Sequence, residues 1–75
     1  MEKKLESVFR KIFPKFKGKL TDKVSPKNLK EWDSLNHLNL MTAVSKKFKI
    51  NFDFQEIIGV NNIGELKKRI KKKIV

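Results

Sequence analysis

A chain of 75 residues without one cysteine can be stapled neither by disulfides nor by a thiolate metal site, so packing of apolar side chains must hold it together. A chain this short makes one domain, read here as residues 1–75, and buries only about 60% of the surface its unfolded form exposes. What it can become is therefore decided by the periodicity of its apolar residues.

That periodicity is helical. Leu5, Val8, Phe9, Ile12, Phe13 and Phe16 follow one another at offsets of three, four, seven, eight and eleven, a stripe over three turns. Pro14 removes a backbone donor and biases Phe13 away from helical angles, so this first helix either stops near Phe13 or kinks there with Phe16 still packed. Gly18 then breaks the pattern. From Lys19 to Glu31 only Leu20, Val24 and Leu29 stand as isolated apolar anchors. The reading is a long loop, with room for one helical turn after Pro26.

A second helix is predicted from Ser34 to Phe48, with Leu38, Leu40, Met41, Val44 and Phe48 as its apolar residues and Lys46, Lys47 and Lys49 suiting the negative end of its dipole. Asp53 with Glu56 three residues on starts a short third helix through Ile57 and Ile58, which Gly59 ends. Asn61 and Asn62 cap the last helix, with Glu65 three beyond Asn62 and Ile63, Leu66, Ile70 and Ile74 as its stripe. The expected fold is all-α: a four-helix bundle of three longer helices and one short third helix, with a long first loop.

Chemistry concentrates where the second helix begins. Asp33 and Ser34 can both cap it, since short polar side chains accept bonds from the orphan N–H groups of a first turn. With Asp33 as the cap, Ser34 occupies the first helical position with its hydroxyl free, at a terminus that stabilises an anion. As a catalytic nucleophile Ser34 would need a positioned base and an oxyanion hole. His37, the one histidine, could approach it from one turn along, but nothing fixes its other nitrogen. An exposed or partner-facing imidazole is the reading adopted, and no carboxylate pair or metal-ligand set is apparent.

Asp33-Ser34-Leu35 followed by this helix, then Phe48-Lys49-Ile50, Asp53, Ile57, Val60, Ile63 and Leu66, resembles the acyl or peptidyl carrier proteins, and the match runs without a gap from Asp33 to Ile70. The resemblance implies a bundle with just such a long first loop, and a chain that is no enzyme itself. By it, Ser34 would accept 4′-phosphopantetheine from coenzyme A through a phosphopantetheinyl transferase. An acyl or aminoacyl intermediate would then ride on the arm as a thioester, put there by an adenylating or acylating enzyme and collected by acceptor enzymes. Asp33 and Leu35 would position the serine, while Leu38, Met41 and the short third helix would form the docking surface. On the residues alone, Leu38, Met41, Val44 and Phe48 read more readily as core, and Leu35 as exposed.

The charge departs from the resembled family, whose members are usually acidic. The net charge is +11, with +7 on residues 1–30, −2 on residues 31–66 and +6 on residues 67–75. No acid occurs from Ser34 to Phe48, which favours a dedicated partner with an apolar, neutral or acidic face over general fatty-acid synthesis. Trp32, where the family has small residues, points the same way, toward a specialised carrier. Six phenylalanines could fill the space that other carriers leave for a sequestered chain, which favours short or polar cargo held outside. The competing reading takes Lys67 to Lys73, KKRIKKK, as a basic module for nucleic acid or anionic membrane. That stretch lacks aromatic residues, and a bundle needs Ile70 and Ile74 inside, so neither nucleic acid nor membrane is an expected partner. Apolar runs far short of a membrane span, and no signal-peptide block, lead to the expectation of a cytoplasmic monomer.

Overall fold

Helix α1 covers Glu2–Ile12, α2 Ser34–Phe48, α3 Phe54–Gly59 and α4 Ile63–Ile74. The structure, a computed structural model, describes residues 2–74, and the ends of the expected domain, Met1 and Val75, lie outside them. Three longer helices, a short third one and a long first loop are the architecture that the apolar spacing predicts.

Of the two courses open at Pro14, the chain takes the first. Helix α1 stops at Ile12, and Phe13 and Phe16 fold back in turns with their backbone N–H groups on the carbonyls of Phe9 (2.8 Å) and Phe13 (3.0 Å). Arg10 holds this reversal: its guanidinium pairs with Glu6 at 2.8 Å, donates to the Gly18 carbonyl at 2.6 Å and lies over the Phe16 ring. Gly18 has φ +97°, a conformation only glycine adopts without strain.

The long loop contains no helical turn after Pro26. A hydrogen-bonded turn from Ser25 to Asn28 stands there, closed by the Asn28 N–H on the Ser25 carbonyl at 3.1 Å and by the Asn28 side chain accepting the Ser25 N–H at 2.9 Å. The loop is nevertheless pinned. The first N–H groups of α4, which have no partner inside the helix, donate outward to it: Ile63 to the Val24 carbonyl at 2.9 Å and Gly64 to that of Asp22 at 3.0 Å. Asn62 takes the next donor, the Glu65 N–H, at 2.8 Å, as its capping role requires. Lys67 then joins three segments, donating to Glu2 at 3.0 Å and to Asp22 at 2.9 Å.

Each helix but the short one drives one face into a common core. Leu5, Val8 and Phe9 come from α1, Leu40, Met41 and Val44 from α2, and Ile63, Leu66 and Ile70 from α4, joined by Phe13, Val24, Trp32 and Val60. A side chain of this kind contributes roughly 1.5–3 kcal/mol when fully buried. Ile74, predicted inside, is half exposed as the last residue of α4. The phenylalanines divide: Phe9 and Phe13 are buried, Phe16, Phe48 and Phe52 pack at the edge, and Phe54 points outward.

Gly59 is the last residue of α3, yet it is not a left-handed cap, because the chain leaves through Val60 in extended conformation. The glycine leaves room for a side chain from α4. A Cβ at this position would stand 2.9 Å from the Arg69 guanidinium, which reaches across from α4 beside Lys73. Lys73 pairs with Glu56 at 2.9 Å. Glu56 completes the capping box of α3 with Asp53, the two bonds measuring 2.7 and 3.0 Å.

Candidate functional site

Helix α2 begins where the chain turns from extended to helical. Asp33 has φ −97° and ψ −174°, and its Oδ1 accepts the Asn36 N–H at 2.9 Å while its carbonyl accepts the His37 N–H at 2.8 Å. The segment before it is stiffened by Trp32 N–H on the Leu29 carbonyl (3.0 Å) and by the Asn36 side chain on the Glu31 carbonyl (2.8 Å). Ser34 is thus the first helical residue, exposed, with the capping done by its neighbour. The N–H groups of Ser34 and Leu35 belong to the first turn, whose donors have no intrahelical partner and favour an anion.

An open groove of about 530 Å³ runs beside the serine. Its less exposed lining is Trp32, His37, Ile57 and Val60, and its rim carries Leu38, Phe54 and Ile58. Large apolar side chains stand out in solvent here: Leu35 is 68% exposed, Leu38 50%, Phe54 72% and Ile58 60%. Leu38 of α2 and Phe54 and Ile58 of α3 line the groove, so this part of the apolar surface is continuous with it.

Two expectations for α2 need correction. Met41, expected on the docking surface, is 1% exposed and belongs to the core, whereas Leu38, read more readily as core, stands on the rim. The two are three residues apart, and the boundary between the buried and exposed sides of the helix falls between them. Phe54 and Ile58 were not singled out by sequence. Their i, i+4 spacing, which puts two large apolar side chains on one side of the short helix, was the available signal.

His37 is not a solvated imidazole. Its Nδ1 accepts the Trp32 indole N–H at 3.0 Å, and its Nε2 lies 2.6 Å from the Ile57 carbonyl on α3. An indole nitrogen only donates and a carbonyl only accepts, so the ring is neutral with its proton on Nε2. Both nitrogens are spent in this way, and neither is free to take a proton from Ser34. The rings of His37 and Trp32 stack at 6.1 Å, and Trp32 in turn packs on Phe9 and Phe13 at 5.8 and 5.9 Å. Among the described residues no three His, Asp or Glu side chains converge as metal ligands.

The chain is similar to the solution NMR structure of the holo acyl carrier protein from Geobacter metallireducens, at 31% sequence identity and a TM-score of 0.82, over 95% of this chain and 85% of that one. No family model matches the chain, and no curated protein does.

Proposed function

Given that the chain belongs to the acyl carrier protein family, we propose that it carries an acyl or aminoacyl intermediate on a 4′-phosphopantetheine arm joined to Ser34. The carrying observation is the division of labour at the start of α2, where Asp33 caps the helix and Ser34 is left exposed with an uncommitted hydroxyl. Those residues fit a phosphodiester: the first-turn N–H groups and the dipole favour its charge, and α2 has no acid to repel it. In the modification Ser34 Oγ loses its proton and forms the ester bond to phosphorus, with the nucleotide half of coenzyme A as leaving group. Once attached, the arm supplies the thiol that a chain without cysteine lacks, and cargo is held there as a thioester.

The remaining work of the chain is presentation. Asp33 sets the position of the serine, and Leu35 and Leu38, joined by Phe54 and Ile58, offer the apolar face on which the phosphopantetheinyl transferase, an adenylating or acylating loading enzyme and the acceptor enzymes dock. Met41 supports that face from inside. The acid-free polar side of α2, with Asn36, Asn39, Lys46 and Lys47, suits a dedicated partner with a neutral or acidic rim, and so a specialised biosynthetic route over general fatty-acid synthesis. We take residues 1–75 as one monomeric domain working in the cytoplasm. Among the described residues no helix is long and apolar enough to cross a membrane. Insertion of α4 into lipid is disfavoured because Ile63, Leu66 and Ile70, its apolar face, are already committed to the core, and binding of nucleic acid because Lys67 to Lys73 holds no aromatic residue for bases to stack on.

Intact mass after treatment with a promiscuous phosphopantetheinyl transferase and coenzyme A tests the reading. One prosthetic group should be gained by the native chain and none by Ser34→Ala; an unmodified native chain overturns it.

A further inference from the structure

His37 ties together three parts of the chain. Through Trp32 it reaches the Phe9 and Phe13 rings beside α1, and through Nε2 it reaches the Ile57 carbonyl of α3. That carbonyl lies in the last turn of α3, where helical carbonyls have no intrahelical partner. His37 therefore closes the end of α3 onto α2, directly beneath the groove that borders Ser34. The core beside it is closed to solvent: Leu40, Met41, Val60 and Ile63 are all buried. Trp32, itself buried, occupies the space between the start of α2 and the aromatic residues of α1.

We propose that His37 is the residue that determines where cargo lies: its bonds to Trp32 and Ile57 hold α2 and α3 closed, so that a chain carried from Ser34 rests in the outer groove against Leu38, Phe54 and Ile58 and does not enter the bundle. This rests on attachment at Ser34. Its physical basis is that both bonds of the clasp are made by one small ring in a single tautomer, while the groove already offers an apolar surface at no cost in core packing. Removing the ring leaves α3, only six residues long, held to α4 through Glu56 and Lys73 but with no other side-chain bond from α2 to its backbone among the described residues.

The test uses the chain loaded with an octanoyl arm by a promiscuous transferase and octanoyl-coenzyme A, with loading confirmed by mass. In native protein the octanoyl methylenes should show proton–proton Overhauser contacts to Leu38, Phe54 and Ile58 and none to Leu40, Met41 or Ile63. In His37→Ala the contacts should move to the core residues, and in His37→Gln, whose amide can accept from the indole and donate to the carbonyl, the native pattern should return. Core contacts in the native protein, or a native pattern in His37→Ala, overturn the proposal. Should His37→Ala not fold, His37→Leu, which fills the site but can make neither bond, is read by the same criteria. A native chain that gains no mass defeats attachment at Ser34 and the cargo placement with it. The clasp is then decided on unmodified protein, where loss of one hydrogen bond should speed amide exchange in α3 about fivefold in His37→Ala and not in His37→Gln; equal rates in all three overturn it.

Discussion

Asp33 Oδ1 accepts the Asn36 amide at 2.9 Å, and this one bond relieves the adjacent Ser34 hydroxyl of any part in starting the helix. Stability and modification are thereby assigned to neighbouring residues, and mutation can separate them.

Asp33→Ala removes the cap of α2 and should cost about 1 kcal/mol, a fall in melting midpoint of about 4–8 °C for a domain of this size. Ser34→Ala should stay within about 0.5 kcal/mol of the native protein, because an exposed group without structural bonds is lost, while modification disappears. Thermal denaturation and intact mass on both variants check the separation.

The corrected positions on α2 give a second contrast. Met41→Ala opens a cavity in the core and should cost about 2–5 kcal/mol, whereas Leu38→Ala and Phe54→Ala, at exposed sites, should change stability by less than about 0.5 kcal/mol. The two exposed variants should instead slow modification by the transferase. Urea denaturation and the rate of mass gain distinguish the two groups.

Lys49 ends α2 at φ 56° and ψ 46°, with the Ile50 N–H turned back to the Ser45 carbonyl at 3.0 Å. A side chain in this left-handed conformation costs roughly 1–2 kcal/mol, part of which glycine forfeits through its looser unfolded chain. Lys49→Gly should therefore stabilise by about 0.5–1 kcal/mol, and Lys49→Ala should not. Urea midpoints of the two variants decide this.

Stability should fall at both ends of the pH range. Glu2 sits below its ordinary 4.5 because Lys67 donates a hydrogen bond to it, and Glu56 does so because of the Asp53 backbone N–H and then Lys73. Such depressed carboxyls contribute fully above their unfolded value and lose that contribution as pH falls through the lower folded one. Lys67 is raised above its ordinary 10.5 by its bonds to Asp22 and Glu2. Its contribution is whole below that value and is lost as pH rises through the higher folded one. Urea midpoints should trace both limbs, with the acid limb shallower in Glu56→Gln and the alkaline limb shallower in Lys67→Met.

The net charge of +11 repels itself, and salt should relieve it. A higher melting midpoint in about 0.5 M than in about 0.02 M sodium chloride is expected, and calorimetry at the two concentrations checks it.

Much of this chain could be read without its fold. The helices follow from apolar residues repeating every three or four positions, and their starts from Asp33, from Asp53 with Glu56 and from Asn62 with Glu65, pairs that bond within three residues of each other. The free hydroxyl of Ser34 followed from the same local logic. Interactions this short in sequence are written in the residues themselves, because forming them needs only the helix that they begin.

Tertiary structure decided what spans longer separations. His37 meets Ile57 twenty residues away, Lys67 meets Asp22 across forty-five, and Ile63 and Gly64 bond the loop that precedes α2. Which of Leu38 and Met41 faces solvent was likewise decided by the packing of the whole bundle. Periodicity says that a helix has a buried face, but the edge of that face is drawn by the neighbour packed against it, and a donor's partner is chosen by whatever chain the fold brings within 3 Å.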